Sequence, residues 1–485
     1  MALVSANEFP SRLLMWQRVR EYAVPPSMIE IAAARRTAGD WAGACAAARI
    51  DVDLDLRAVR DRHGTALVTR LRADLRRLAP DLLRWHMPRV APDGRLRPGL
   101  TLCLARYHDS GPTPLQLVVR TPPAWADAGQ RMSLALWAGA GDDGLGRHPH
   151  PHPSRRFRLD LHRHLWDAGR SGELAQRCGA GGTPVPGSSD LPGLLGNAPL
   201  AVTSWAAEGQ LLLAAEGRAR GAFTVRLGAR NRAVLELVAP DDSHAPSLRP
   251  LRDALPPQEV AALPVLPDAA ARVLPDLELL RAGLITAGQL HPLVAVALGA
   301  SAPATVADST PAPTSADPHR IECRGEVHRI ALRDGVLTAI DHDPDQLRRE
   351  ELLVALGGPG LPCLRAIDAV HRSPEALPAV RERLRHGDIV GALDVVEGLL
   401  GPGAVLRDGP LREELESAAA RRIDHGLFRS GLADEHPGAG AAVGGNAPGV
   451  GRAEARRRPR LNRYTPRDLR RMWGSRARPR TSMYR

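Results

Sequence analysis

Between Gly146 and Asp167 the chain reads GRHPHPHPSRRFRLDLHRHLWD, with five histidines: His148, His150, His152, His162 and His164. Imidazoles at this density raise metal binding as the first chemistry to weigh. In HPHPHP every second residue is proline. Proline fixes φ and favours a polyproline II path with three residues per turn, so histidines two apart point in different directions. That is a poor cage for one ion, and the tract reads as a rigid polar loop more readily than as a labile metal-binding surface.

The second half has a better spacing. In FRLDLHRH, Phe157, Leu159 and Leu161 alternate with Arg158, Asp160, His162 and His164. On a strand, residues i, i+2 and i+4 share a face. Asp160, His162 and His164 would then form a carboxylate–imidazole row able to take Zn²⁺ or Fe²⁺. The competing reading is a solvent-facing strand face with Asp160 paired to Arg158 or Arg163. The His-x-His pair resembles the metal motif of amidohydrolase-type enzymes, which implies a barrel of parallel strands alternating with helices, and this chain lacks that alternation. A second acidic spacing, Asp341, Asp343 and Asp345, mimics the start of a calcium loop. Its sixth position is Gln346 and its twelfth is Leu352, so the match fails. Asp343 as N-cap with Pro344 behind it starts a helix instead.

What else could do chemistry is bounded by composition. All 65 basic residues are arginine. Without lysine there is no phosphate-binding loop of the GxxxxGK[ST] type, no kinase-type strand lysine and no Schiff base. The glycine-rich stretches 139–146 and 178–182 are therefore loops. No GxSxG elbow and no HExxH occurs, and no cofactor is implied. The five cysteines, Cys45, Cys103, Cys178, Cys323 and Cys363, are too scattered for CxxC, which argues against a disulfide framework and a structural zinc. The first twenty residues lack the pattern of a secretory signal and no apolar run reaches membrane-spanning length, so a reducing cytoplasm is expected.

The formal net charge is +11. From Arg452 to Arg485 there are 13 arginines against Glu454 and Asp468, and the rest of the chain holds 52 arginines against 52 acids. The basicity thus belongs to a tail, expected to be a disordered basic arm. Within it, Thr465, Pro466, Asp468 and Gly474 outline a short helix with Leu469, Met472 and Trp473 on one side. Arg456, Arg457, Arg458, Arg460, Arg463, Arg467, Arg470, Arg471, Arg476, Arg478 and Arg480 could neutralise nucleic-acid phosphates, with Tyr464 and Trp473 stacking on bases. An acidic protein or membrane surface would fit the same charges.

The elements that must position these groups suggest an α+β, multi-domain chain. A helical region is expected over residues 1–92, with Leu67, Leu71, Leu75, Leu78 and Leu82 as a buried stripe broken at Pro80. A β-rich, mixed or antiparallel sheet domain is expected over 93–298. Its strands are TLCLARY, LQLVVRT, QLLLAAEG, AFTVRLG and AVLELVA, and proline-punctuated helices follow. A flexible linker covers 299–318. A β-hairpin turning at Asp334-Gly335, with helices after it, covers 319–432. A Gly/Ala linker and the tail fill 433–485. RTAGDWAGACAAA (36–48) and LRHGDIVGALDVV (384–396) share Gly-Asp-x-x-Gly-Ala, with Gly as helix stop, Asp as the next N-cap and Gly-Ala as a close-approach pair. Each resembles the helical hairpin of tetratricopeptide-type repeats, which implies two helix–turn–helix units and, since they lie far apart, no solenoid. The resulting expectation is a non-enzymatic adaptor with unidentified protein partners. A nucleic-acid accessory factor acting through the tail, and a metal-dependent hydrolase at Asp160, His162 and His164, are the alternatives.

Overall fold

The computed structural model describes residues 11–108, 115–139, 148, 151–178, 199–228, 231–238, 246–251, 255–300, 320–323 and 325–432. The fold is α+β with several sheets. Two compact units divide the chain: Met1–Ala302 with Asp424–Arg485, and Pro303–Ile423.

The first unit begins with α1 (Ser11–Tyr22), α2 (Pro26–Thr37), α3 (Trp41–Ala47), β1 (Ile50–Asp53), α4 (Leu56–His63), α5 (Thr65–Arg77) and α6 (Pro80–His86). On α5, Leu67, Leu71 and Leu75 are buried as their spacing requires, and Pro80 opens α6. A two-residue-strand hairpin follows, β2 (Arg89–Val90) and β3 (Arg95–Leu96), then β4 (Thr101–Tyr107), β5 (Leu115–Arg120) and β6 (Met132–Trp137). These strands form a sheet in the order β1-β6-β5-β4, antiparallel except that β1 lies parallel on β6 with Ile50 opposite Met132. One apolar core runs from Leu13 through α5, α6 and the sheet to Val294, with members on both sides of residue 92.

Further along come α7 (Leu174–Arg177), α8 (Trp205–Ala215), β7 (Gly221–Arg226), β8 (Arg232–Val238) and β9 (Ser247–Pro250). Four short helices close the unit, each opened by or just after proline: α9 (Pro257–Ala262), α10 (Asp268–Ala271), α11 (Pro275–Arg281) and α12 (Pro292–Ala297). The strand expected over QLLLAAEG is instead the second half of α8. Trp205, Glu208, Gly209, Leu212 and Leu213 are its buried residues, a 3.6-residue stripe that is visible only when the window begins before Gln210. Gly209 is needed there, because a Cβ would lie 2.6 Å from the Phe223 ring of β7.

The second unit holds a sheet β10-β11-β12, from β10 (Arg320–Cys323), β11 (Glu326–Arg333) and β12 (Val336–Ala339). Asp334 (φ +52°) and Gly335 (φ +78°) make the two-residue turn, both in the left-handed region that a type I′ loop demands. Then follow α13 (Pro344–Ala355), α14 (Pro362–Arg372), α15 (Leu377–His386) and α16 (Ile389–Leu400); α17 (Pro410–Arg429) belongs to this unit up to Ile423 and to the first unit from Asp424 on. Asp343 caps α13 through the Asp345 N–H.

The sequence echo is a structural echo in each unit. Gly39 and Gly387 sit at φ +79° and +84°. Asp40 and Asp388 accept hydrogen bonds from the N–H groups of Gly43 (2.8 Å) and Gly391 (3.3 Å). The role expected for Gly43 and Gly391 needs correction. A Cβ there would lie 2.1 Å and 2.3 Å from the capping carboxylates, so the glycines make room for the cap. Arg35 and Arg383 also reach the two aspartates, extending the shared pattern to Arg-x-x-x-Gly-Asp-x-x-Gly-Ala.

Candidate functional site

FRLDLHRH does not form a strand. Apart from a one-residue bridge at Arg158, the backbone turns repeatedly: the N–H of His162 bonds the Leu159 carbonyl (3.1 Å), and Arg163–Leu165 is a single 3-10 turn. The reason is local competition. Asp160 takes the Arg158 guanidinium two residues away (3.1 and 2.7 Å) and the Trp166 indole donates to the Leu159 carbonyl (3.0 Å), so the segment satisfies itself instead of a ladder.

The three residues of the expected metal row therefore do not converge. Asp160 is held by Arg158 and by Arg106 at 3.2 Å. His162 has Nδ1 against the Arg158 carbonyl (2.9 Å) and Nε2 against Glu208 (3.1 Å). Both nitrogens are already engaged by oxygen atoms, so the ring has no free nitrogen to turn toward an ion. His164 lies edge-on to His162 at 5.8 Å, its Nδ1 buried without a hydrogen-bond partner. The Asp160–Arg158 pairing matches the competing reading, but in the interior: Arg158 is 5% exposed. Glu208 also takes Arg177. Burial opposes its ionisation, yet the hydrogen bonds from His162 and Arg177 outweigh that and hold the carboxyl below the usual range. Of the proline-rich tract, His148 bonds the Thr121 carbonyl (2.9 Å) and His152 packs edge-on to Trp137, while His150 lies outside the described residues.

Beside this network the first unit holds a cavity of about 120 Å³, lined in part by Trp16, Met87, Leu102, Phe157, His164 and Leu274. Arginines reach its wall, among them Arg20, Arg158 and Arg177, each already paired with a carboxylate. Burial pushes the lining His86 imidazole down to about 4, and burial beside His162 and Arg177 holds His164 well below the ordinary range. The chamber is thus apolar, its charges neutralised in pairs and its imidazoles uncharged near neutral pH.

The second unit contains a cluster that sequence spacing does not reveal. Cys323, His342 and Cys363 place one ligating atom each within 4.8 Å of one another, the one such group of three His, Cys, Asp or Glu side chains among the described residues. Cys323 ends β10, His342 follows β12, and Cys363 is in the first turn of α14. Both cysteines are fully buried and His342 is 9% exposed. Burial, with the neighbouring Cys323 thiol, pushes the Cys363 thiol up to about 11. The His342 ring stacks on His328 of β11 with centroids 4.0 Å apart.

The tail candidates Arg456, Arg457, Arg458, Arg460, Arg463, Tyr464, Arg467, Arg470, Arg471, Trp473, Arg476, Arg478 and Arg480 lie outside the described residues. Among the described residues no helix is long and apolar enough to cross a membrane. Comparison with protein-family models, curated proteins and solved structures finds no match to this chain.

Proposed function

We propose that the chain is a non-enzymatic interaction protein of the reducing cytoplasm, and that the second unit is its docking module for a protein partner. One observation carries this reading. Among the described residues, sixteen large apolar side chains stay exposed, and eleven of them belong to that unit. Leu352, Leu353, Val354 and Leu356 form a nearly continuous run at the end of α13, with Leu356 86% exposed, and α13 buries none of its residues. Apolar area left in water costs about 25 cal/mol per Å² relative to covering it, and grouped patches of this kind mark contact surfaces. The Asp160 region supports the same reading, since Asp160 is held by Arg158 and Arg106 and His162 by Glu208 and the Arg158 carbonyl.

The test is a photo-crosslinking side chain at Leu356 of the full chain in its native host, with the same label at exposed Ile31 as control. A discrete protein adduct from Leu356, absent from Ile31 and lost on adding Leu352→Glu and Val354→Glu, is expected. No adduct, or one indifferent to those substitutions, overturns the proposal. The concentration of +11 in residues 452–485 favours a second contact, with nucleic acid. Binding that falls steeply with salt and vanishes on ending the chain at Gly451 would establish it.

A further inference from the structure

We propose that Cys323, His342 and Cys363 bind a zinc-class divalent cation that ties the sheet of the second unit to helix α14. The argument starts from donor chemistry. Two thiols and one imidazole are the soft and borderline ligands that select zinc, whereas calcium and magnesium require oxygen. Around a tetrahedral zinc with bonds near 2.0–2.3 Å, ligand atoms sit about 3.5–3.8 Å apart. The three atoms here already lie within 4.8 Å of one another, so closure by about 1 Å brings them to the spacing of three tetrahedral ligands.

Buried cysteines alone are ordinary packing, since thiols behave as small hydrophobes. The imidazole is what changes the reading. This unit buries other imidazoles, His371 and His386, but among the described residues His342 is the one grouped with both thiols. Its ring plane is fixed by the His328 ring stacked at 4.0 Å with 17° between planes. Such support is what a ligating imidazole needs to keep its orientation. The three ligands also arrive from three separate elements, β10, the end of the β12 turn and α14. On binding, each thiol loses its proton to solvent as its sulfur–metal bond forms, His342 donates a ring lone pair, and the ion sheds water. A fourth position remains for water or an incoming donor. The gain is structural. Among the described residues the apolar core of this unit has 14 buried members, and a metal bond network adds folding energy where a core is small.

The experiment uses the full chain purified under reducing conditions. One equivalent of zinc per chain by elemental analysis is expected. Titration of the metal-stripped, reduced protein with Co²⁺ should give the sulfur-to-metal charge-transfer and ligand-field bands of a tetrahedral thiolate site, displaced by Zn²⁺. Cys363→Ser and His342→Ala should each reduce the bound metal at least tenfold. Should those variants fail to fold, the wild-type Co²⁺ spectrum still decides. Substoichiometric zinc together with no thiolate band on Co²⁺ addition overturns the proposal. So does a Cys323–Cys363 disulfide whose reduction yields no metal binding.

Discussion

The buried pairing of Arg20 with Asp276 offers the sharpest test of how the first unit is held together. Arg20 on α1 donates Nε and Nη2 to the Asp276 carboxylate on α11 at 2.9 and 2.6 Å, and Nη1 to the Trp85 carbonyl on α6 at 2.8 Å. The Trp85 indole donates to the same carboxylate at 3.0 Å, and the guanidinium lies over the Trp85 ring, 4.3 Å from its centroid. Asp276 is fully buried and Arg20 is 5% exposed. Removing one partner strands a charge away from water, which costs about 3–5 kcal/mol. Asp276→Leu also removes the acceptor of the Trp85 N–H, adding about 1–3 kcal/mol. Arg20→Met leaves Asp276 with the indole alone and should cost about 3–5 kcal/mol. The double variant removes both charges and keeps the apolar volume but still strands the Trp85 N–H, so it should fall within about 3 kcal/mol of the parent. Urea denaturation followed by tryptophan fluorescence measures all four corners, since Trp16 and Trp85 both contact Arg20. Single substitutions costing below about 1 kcal/mol, or a double cost equal to the sum of the singles within about 0.5 kcal/mol, would refute the reasoning.

Two other outcomes are expected. Burial lowers His86 from 6.5 to about 4, so the unfolded chain takes up its proton first as pH falls, and stability drops between pH 6.5 and 4. The loss reaches about 3 kcal/mol at most, and urea midpoints for His86→Gln should fall less steeply than those of the parent in that window, where His164 still contributes; curves parallel to the parent would exclude it. At the second capped hairpin, Asp388→Ala should cost about 1 kcal/mol by losing the cap. Gly391→Ala should destabilise the parent more than the Asp388→Ala background, because a Cβ there meets the Asp388 carboxylate at 2.3 Å and, at 2.7 Å, the Arg383 guanidinium that this carboxylate holds. Thermal melts of the four proteins distinguish this from a helix-packing role.

Local chemistry was legible in the sequence wherever it acts over a few residues. The Asp334-Gly335 turn, the Asp343 cap, the α5 stripe and strands β4, β5, β7 and β8 stand close to their expected places. Features set by distant partners were not. β1 is four residues, Ile-Asp-Val-Asp, inside a helical stretch, and it exists because β6 lies alongside it some eighty residues later. Asp160, His162 and His164 had strand-like alternation, but Arg158 claimed Asp160 and Glu208 claimed His162. The thiol–imidazole cluster joins residues 323, 342 and 363 through the hairpin and α14, so no spacing rule reaches it. A histidine just after a hairpin strand, between two cysteines, was the one available hint.

The core of the first unit has a consequence for synthesis. Arg12 is joined to Glu278, and Arg20 to Asp276, across more than 250 residues. Helices α1 to α6 leave the ribosome with Leu71, Leu75 and Trp85 uncovered, since the sheet follows and α11 is later still. At about 5–20 residues per second, those apolar faces wait on the order of ten seconds or more for their last cover. An isolated N-terminal fragment ending near residue 92 would lack the cover altogether.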